Sequence, residues 1–454
     1  MKIINPATTE VIANVPEDTA ATVAQKVAAA RSAQPGWWQT PFEQRQRAVA
    51  TWNALVAENK ERLARTLTEE MGKPLQQALN ELNALAGRVE FFLANAGRML
   101  EDEVIQTGGA TEERIGWEPL GVVANISAWN YPYFVGSNAF VPALLTGNAV
   151  LYKPSELTTR TGLAIGELWH QAGVPRDVFQ VLVGGGAVGE ALLAQPLDGL
   201  FFTGSYATGK KIAEATAGRM MKVQLELGGK DPAYVADDVD VAAAASSLAD
   251  GAMYNAGQSC CSVERIYVHE RVAGPFIAAF LETVRGFKSG DPLDLETYIG
   301  PLARRQQLEL LEQQVADAVA KGGKVLIGGQ RDQTRPGWFQ PTVLTGVTSE
   351  MAVMREESFG PIIGIQTVAS DDEAVRLMND TEYGLTAAVY SKNRERAQGL
   401  LRQVRVGSAY WNCCDRVSPG LPWTGRGHSG VGSTLSTHGI RAFLQPKAWH
   451  LRSV

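Results

Sequence analysis

The stretch Gly121–Lys153, GVVANISAWNYPYFVGSNAFVPALLTGNAVLYK, decides the fold. Its ends, Gly121–Ala128 and Ala149–Tyr152, are apolar runs of strand length. Between them Val135–Leu145 is apolar at helical spacing. Strand, helix and strand in so short a span predict two parallel strands joined by a crossover. The pattern continues, with strands at Val178–Val183, Gly199–Phe202 and Val223–Leu227 and helices at Thr159–Gln171, Val188–Gln195 and Thr208–Ala217. Such a sheet carries helices on both faces and binds ligands beyond the carboxyl ends of its strands. Asn130, Lys153 and Ser205 all follow predicted strands.

Downstream, a second α/β unit starts near Asp231. Its expected strands are Ala233–Val235, Arg265–Val268, Lys324–Ile327, Ile362–Val368, Ala387–Tyr390 and Gly407–Trp411. Its expected helices are Val239–Tyr254, Val272–Phe287, Ala303–Ala320, Asp371–Asn379 and Asn393–Val404. Upstream, Asp18–Ala33, Pro41–Asn59 and Glu61–Leu100 read as helices, and Glu101–Trp117, with Gly108–Gly109 at its middle, as a hairpin. The tail, Ala442–Val454, alternates weakly. It reads as a strand that pairs either with that hairpin or with another subunit.

With 454 residues, the chain exceeds what one hydrophobic core supports, so at least two domains are expected. A formal charge of −6 argues against binding along a nucleic-acid backbone. Met1–Pro16 lacks a basic segment followed by an apolar one, and no apolar run reaches membrane-spanning length, so neither a secretory leader nor a membrane span is expected. The four cysteines fall in two adjacent pairs, Cys260–Cys261 and Cys413–Cys414, and there are five histidines without zinc-site spacing. Reduced thiols, no metal and a cytoplasmic location are the expectation.

Three residues carry candidate chemistry. Glu226 sits in an apolar strand just before Gly228–Gly229. Buried without a partner, a carboxylate there has a raised pKa and suits a general base near neutral pH; paired with Lys230 or a backbone amide, it is merely structural. Asn255-Ala256-Gly257-Gln258-Ser259-Cys260 ends a small-residue helix in a flexible polar turn and presents a thiol. A thiolate adds to an aldehyde carbonyl, and the resulting oxyanion needs donors such as Asn130. Gly184–Gly189 matches GxGxxG, yet about 20 residues further on stands Gly204–Ser205 and not the acid of a dinucleotide fingerprint.

Trp129-Asn130-Tyr131-Pro132, Lys153-Pro154-Ser155-Glu156, Phe202-Thr203-Gly204-Ser205, Glu226-Leu227-Gly228-Gly229-Lys230, Gly257-Gln258-Ser259-Cys260 and Glu357-Ser358-Phe359-Gly360-Pro361 occur in this order. The set resembles that of the NAD(P)-dependent aldehyde dehydrogenase superfamily, and the similarity runs from Ile4-Asn5-Pro6 to the tail. The resemblance implies Cys260 as nucleophile, Asn130 as oxyanion donor with the Cys260 N–H, and Glu226 as base. It implies Lys153 and Glu156 at the adenosine ribose, Ser205 at the pyrophosphate, and Glu357 and Phe359 at the nicotinamide ribose. Trp129, Ser155, Gly186, Gly204 and Leu227 complete the implied cofactor contacts. NAD is favoured because Glu156 repels a 2′-phosphate; NADP stays open through Lys153 and Ser155. The implied fold is a Rossmann-type cofactor domain (1–100 and 118–228), a second α/β catalytic domain (229–425) and a small β oligomerisation arm (101–117 and 435–454). A homodimer or homotetramer is expected, with a small-molecule aldehyde as the only other partner.

Two alternatives stay in view: a CoA-acylating aldehyde dehydrogenase, which usually lacks the base, and a non-catalytic binding protein on the same fold. For the substrate, Tyr131, Tyr133, Phe134, Trp411 and Trp423 suggest an aromatic-walled pocket for an aliphatic, aromatic or amino aldehyde. Asn138 stands where succinate-semialdehyde dehydrogenases commonly have Arg, which leaves that substrate as an alternative only if another segment supplies the charge. Ala139 and Thr434 replace a Lys and a Glu that pair in many members and relay protons from the base, so that relay is expected to be absent. Ala139→Lys should therefore bury an unpaired ammonium and lower the melting temperature; a higher melting temperature would contradict the reading.

Overall fold

The computed structural model describes residues 1–108 and 110–453; Gly109, at the expected hairpin turn, and Val454, at the end of the expected tail strand, lie outside the described residues. One six-stranded sheet runs in the order Gly430–Val431, Lys222–Glu226, Gly199–Thr203, Val122–Ile126, Ala149–Lys153, Phe179–Val181. The last five are parallel, and Gly430–Val431 is antiparallel to Lys222–Glu226. Their continuous apolar runs follow from burial on both faces. Val123, Val150, Tyr152 and Phe201 pack into one core, whereas Val122, Ala124, Leu151 and Phe202 pack into the other. The period of two thus divides each strand between two helix layers.

The first layer holds Phe42–Glu58, Lys60–Met71, Leu75–Leu100, Pro132–Leu145 and Thr159–Gln171. Trp52 and Trp169 stack there with ring centroids 4.4 Å apart. The second holds Ala20–Gln39, Gly186–Leu193 and Tyr206–Thr216. The helix expected over Glu61–Leu100 is broken at Gly72-Lys73-Pro74. Gly72 ends the first piece with φ +81°, and Pro74 disfavours helical backbone at Lys73. A Cβ on Gly72 would come within 2.5 Å of Pro301 Cγ.

A seven-stranded sheet follows the order Lys324–Ile327, Thr342–Thr345, Ile362–Val368, Val263–His269, Asp231–Val235, Thr386–Tyr390, Ser408–Trp411. Only the edge strand Lys324–Ile327 is antiparallel to its neighbour. Thr342–Thr345 and the two-residue Gly430–Val431 are not among the expected strands. The tail strand, Leu444–Arg452, pairs with Thr111–Pro119 from Leu444↔Pro119 to Arg452↔Thr111, and Glu103–Gly108 forms the other edge of this three-stranded sheet. No helix among the described residues is long and apolar enough to cross a membrane.

One buried ion pair sets the helix that follows Asn130. Lys73 and Glu81, both without exposed side-chain surface, meet at 2.6 Å. The second Glu81 oxygen accepts the N–H groups of Tyr133 (2.9 Å) and Phe134 (3.2 Å), capping the first turn of Pro132–Leu145. Free N–H groups at a helix start favour a carboxylate. Glu81→Leu would strand the Lys73 ammonium and both N–H groups, at a cost of about 3–5 kcal/mol. A melting-temperature cycle checks this: Glu81→Leu should fall steeply, and adding Lys73→Met should recover part of the loss. Additive effects of the two changes would mean the pair does not act as a unit.

Candidate active site

Beyond the carboxyl ends of the parallel strands lies a cavity of about 610 Å³. Cys260 and Asn130 line it, as do Trp129, Lys153, Ser155, Glu156, Gly186, Gly204, Ser205, Leu227, Glu357 and Phe359. Glu226 is not among its walls; it lies buried behind Leu227, 8% exposed.

The Cys260 turn is built from unusual backbone. Helix Val241–Met253 ends, and Asn255 (φ +54°), Ala256 (φ +53°) and Gly257 (φ +68°) are left-handed in succession. That costs energy at Asn255 and Ala256 and is held by specific bonds. Asn255 N–H donates to Gln77 Oε1 (2.9 Å), and its side-chain amide donates to the Gln258 carbonyl (3.1 Å). Asn130 Nδ2 donates to the same carbonyl at 3.1 Å, which ties the loop after strand Val122–Ile126 to the thiol turn. The adjacent thiols differ. Cys260 is partly exposed at the cavity, whereas Cys261 is buried and donates to Asp415 Oδ1 at 3.0 Å. The neighbouring Cys260 thiol, burial and the Asp415 carboxylate all push the Cys261 thiol well up.

Glu226 accepts a hydrogen bond from the Thr434 hydroxyl and a second, at 3.3 Å, from Gln224 Nε2. Burial pushes its carboxyl up to about 7, against the stabilising Thr434 hydroxyl, the Arg88 charge and Gln224. Lys230 is not its partner: Lys230 Nζ lies 2.7 Å from Glu264 and 3.0 Å from Ser358 Oγ. Glu264 in turn accepts the N–H groups of Ser358 (2.9 Å) and Phe359 (3.0 Å), fixing the turn that carries Glu357. Glu357 accepts Gly229 N–H at 3.1 Å. Burial, reinforced by the nearby Glu264 charge, pushes the Glu357 carboxyl up to about 8.

At the far end, Lys153 Nζ has a single acceptor among the described residues, its neighbour's carbonyl at 3.3 Å, and burial lowers its pKa against the pull of Glu156. Ser205 caps helix Tyr206–Thr216, accepting from Thr208 N–H. Gly186 opens helix Gly186–Leu193, and a Cβ on it would meet nothing within 4 Å. The Trp129 and Phe359 rings meet edge to face at 5.4 Å, with Arg304 over Trp129. Among the described residues no group of three or more His, Cys, Asp or Glu could hold a metal ion.

The five aromatics expected to wall a pocket are dispersed. Tyr133 and Trp423 belong to the core, and Trp411 is a surface ring bonded to the Ser391 carbonyl. Tyr131 and Phe134 stay together, but Lys73 already covers the first ring (3.7 Å) and Arg88 the second (4.2 Å). Sequence reasoning missed Glu264 and Arg88, which act across long separations and belong to no motif. In the sequence Thr434 stands only as a lost acid, although Gly430–Val431 pairs with Leu225–Glu226 and brings the Thr434 hydroxyl to Glu226.

The aldehyde dehydrogenase family model matches residues 1–449. The peroxisomal aminoaldehyde dehydrogenase 1 of Malus domestica is 35% identical over 457 residues, covering 98% of this chain and 91% of the relative. A putative NADP(+) succinate-semialdehyde dehydrogenase of Mycobacterium ulcerans is 36% identical over 440 residues, covering 96% and 85%. Among solved structures, an NAD-dependent aldehyde dehydrogenase from Sinorhizobium meliloti superposes with a TM-score of 0.96 at 35% identity, covering 99% of this chain and 91% of that one.

A hydroxyl that donates to Glu226 favours its charged form, so removing it raises the pKa further. Thr434→Val should move the rising limb of kcat against pH upward by about one on the pH scale, because a bond to a charged group is worth about 1.5–3 kcal/mol. An unmoved midpoint would show that Thr434 does not tune the base.

Proposed function

The chain belongs to the aldehyde dehydrogenase family, and we propose that it works through a thioester on Cys260, with Asn130 holding the oxyanion and Glu226 as base. The family reaction is NAD(P)-dependent oxidation of aldehydes, and the chain is an oxidoreductase of this class. One observation carries the residue assignment. A partly exposed thiol borders the cavity beside an amide donor, while a carboxyl poised at about 7 lies buried behind it.

The residues present fit a dinucleotide. Lys153, short of acceptors, and Glu156 suit sugar hydroxyls; the helix start at Ser205 and the open approach at Gly186 suit a pyrophosphate. Glu357 suits a second ribose. The Glu156 carboxylate disfavours a further phosphate, so NAD is the preferred form and NADP the weaker one. When bound, the nicotinamide supplies the oxidant and accepts the hydride.

The Cys260 thiolate forms a bond to the carbonyl carbon, and the C=O π electrons move to oxygen. Asn130 Nδ2 and the Cys260 N–H stabilise that oxyanion. Loss of hydride from the same carbon leaves a thioester. Glu226 removes a proton from the attacking water, and collapse of the second tetrahedral adduct breaks the C–S bond and returns the thiolate. The near-neutral base favours hydrolysis over transfer to CoA.

The domain division follows the same reading: residues 1–100 and 118–228 hold the cofactor, 229–425 carry the thiol, and 101–117 with 435–454 form an arm for a homodimer or homotetramer. A cytoplasmic site of action fits the unpaired cysteines.

NADH and NADPH formation from hexanal, benzaldehyde, betaine aldehyde and succinate semialdehyde tests the proposal. Wild type should reduce NAD faster than NADP, and Cys260→Ala should lose at least about 1,000-fold. Turnover surviving Cys260→Ala would overturn the thioester mechanism.

A further inference from the structure

Among the described residues three arginines are buried, and two have several acceptors each. Arg45 donates to the carbonyls of Leu145, Trp38 and Thr40. Arg265 donates to those of Lys230, Leu377 and Met378 and to the Tyr267 hydroxyl. Arg88, 5% exposed, has one hydrogen-bond acceptor among the described residues, Asn138 Oδ1 at 2.6 Å. It makes no ion pair among the described residues. The two carboxylates within reach of its charge, Glu81 and Glu226, are committed elsewhere: Glu81 to Lys73 and two helix N–H groups, Glu226 to Thr434 and Gln224. A guanidinium has five N–H donors, and one held this deep with a single acceptor and no directly paired carboxylate among the described residues is costly.

Its position gives those donors a use. Arg88 rises from helix Leu75–Leu100 and lies over Phe134, in the first turn after Asn130. Its charge is felt by Glu226 and, more weakly, by Cys261, next to the nucleophile. It does not line the cofactor-sized cavity, which Trp129 and Asn130 close from the other direction. The guanidinium thus lies against the helix that follows the oxyanion donor, within electrostatic reach of Glu226 and Cys261 and outside the cofactor-sized cavity.

We infer that Arg88 is a specificity residue that binds the carboxylate tail of an aldehyde acid, the semialdehyde of a short dicarboxylate. The inference rests on the assignment of Cys260, Asn130 and Glu226. A carboxylate would meet the planar donor edge with two parallel bonds, supply the missing counter-charge, and leave the Asn138 bond in place. A cationic tail would meet the same buried charge with repulsion, which disfavours an aminoaldehyde. Asn138 becomes the residue that orients the fork and not the binding group itself.

The test compares succinate and glutarate semialdehydes with 4-oxopentanal, which keeps the shape of the shorter acid without its charge, and with 4-aminobutanal. Wild type should favour at least one carboxylated substrate over 4-oxopentanal by about 100-fold in kcat/KM, mostly through KM, as sites built for a polar group discriminate. Arg88→Met should lower that ratio to within about threefold, and Arg88→Lys should restore part of it. Equal kcat/KM values in the wild type would overturn the inference, and that measurement stands even if the variants fail to fold. A ratio unchanged in Arg88→Met, or an equal fall for every aldehyde with a displaced pH profile, would make Arg88 a partner of Glu226 instead. Absence of turnover with every aldehyde would count against the Cys260 mechanism, not against Arg88 alone.

Discussion

The Lys230–Glu264 pair is the joint on which the site depends. Lys230 leaves the six-stranded sheet just after Glu226 and enters the seven-stranded sheet at Asp231; Glu264 lies in the neighbouring strand Val263–His269, a few residues after the thiol turn. Their 2.7 Å contact, with the Ser358 and Phe359 amides added, holds the Glu226 strand end, the Cys260 turn and the Glu357 turn in one frame. Burying two charges is favourable only when each finds further partners. Here Glu264 takes two backbone amides and Lys230 takes a hydroxyl, so the pair is rigid as well as satisfied. A surface pair could not fix three loops in this way, because side-chain entropy and solvent screening would leave them free to move.

Burial alone does not mark function in this chain. Glu70 is also pushed up to about 7 by burial, yet it is spent on the N–H and hydroxyl of Thr161 and simply locks two helices. Asp231, at about 8, is likewise held by Thr386. What separates Glu226 and Glu357 is their place beside the cavity and the thiol turn. The two cysteines make the same point: adjacent in sequence, they are set apart by Asp415, which occupies one and leaves the other at the opening.

Much of the architecture was legible because strands buried on both faces must be apolar throughout, and because the crossovers between them have helical period. The ordered motifs named residues that line the cavity or, like Glu226, stand just behind it, since glycine turns at strand ends are local features. The legibility ended where the partner came from afar. Thr434 reaches Glu226 through a two-residue strand with no pattern of its own, and Arg88 reaches Asn138 from a helix whose outward reading is ordinary amphipathic packing. The break at Gly72-Lys73-Pro74 was written in the chain, but strong helical periodicity on both sides outweighed it. The expected aromatic wall failed for a related reason: ring type does not say whether a ring faces a pocket, the core or a protein cation.

The strand Gly430–Val431 also orders events during synthesis. Until it emerges, Lys222–Glu226 is an unpaired sheet edge, and Glu226 has neither its hydroxyl partner nor its cover. The same late segment continues into Leu444–Arg452, which must find Thr111–Pro119, made more than three hundred residues earlier. Pairing at such separation is slow, and an open edge is a template for association with other chains. A ribosome-bound chain therefore holds Glu226 without its Thr434 hydroxyl until the final strands are laid down.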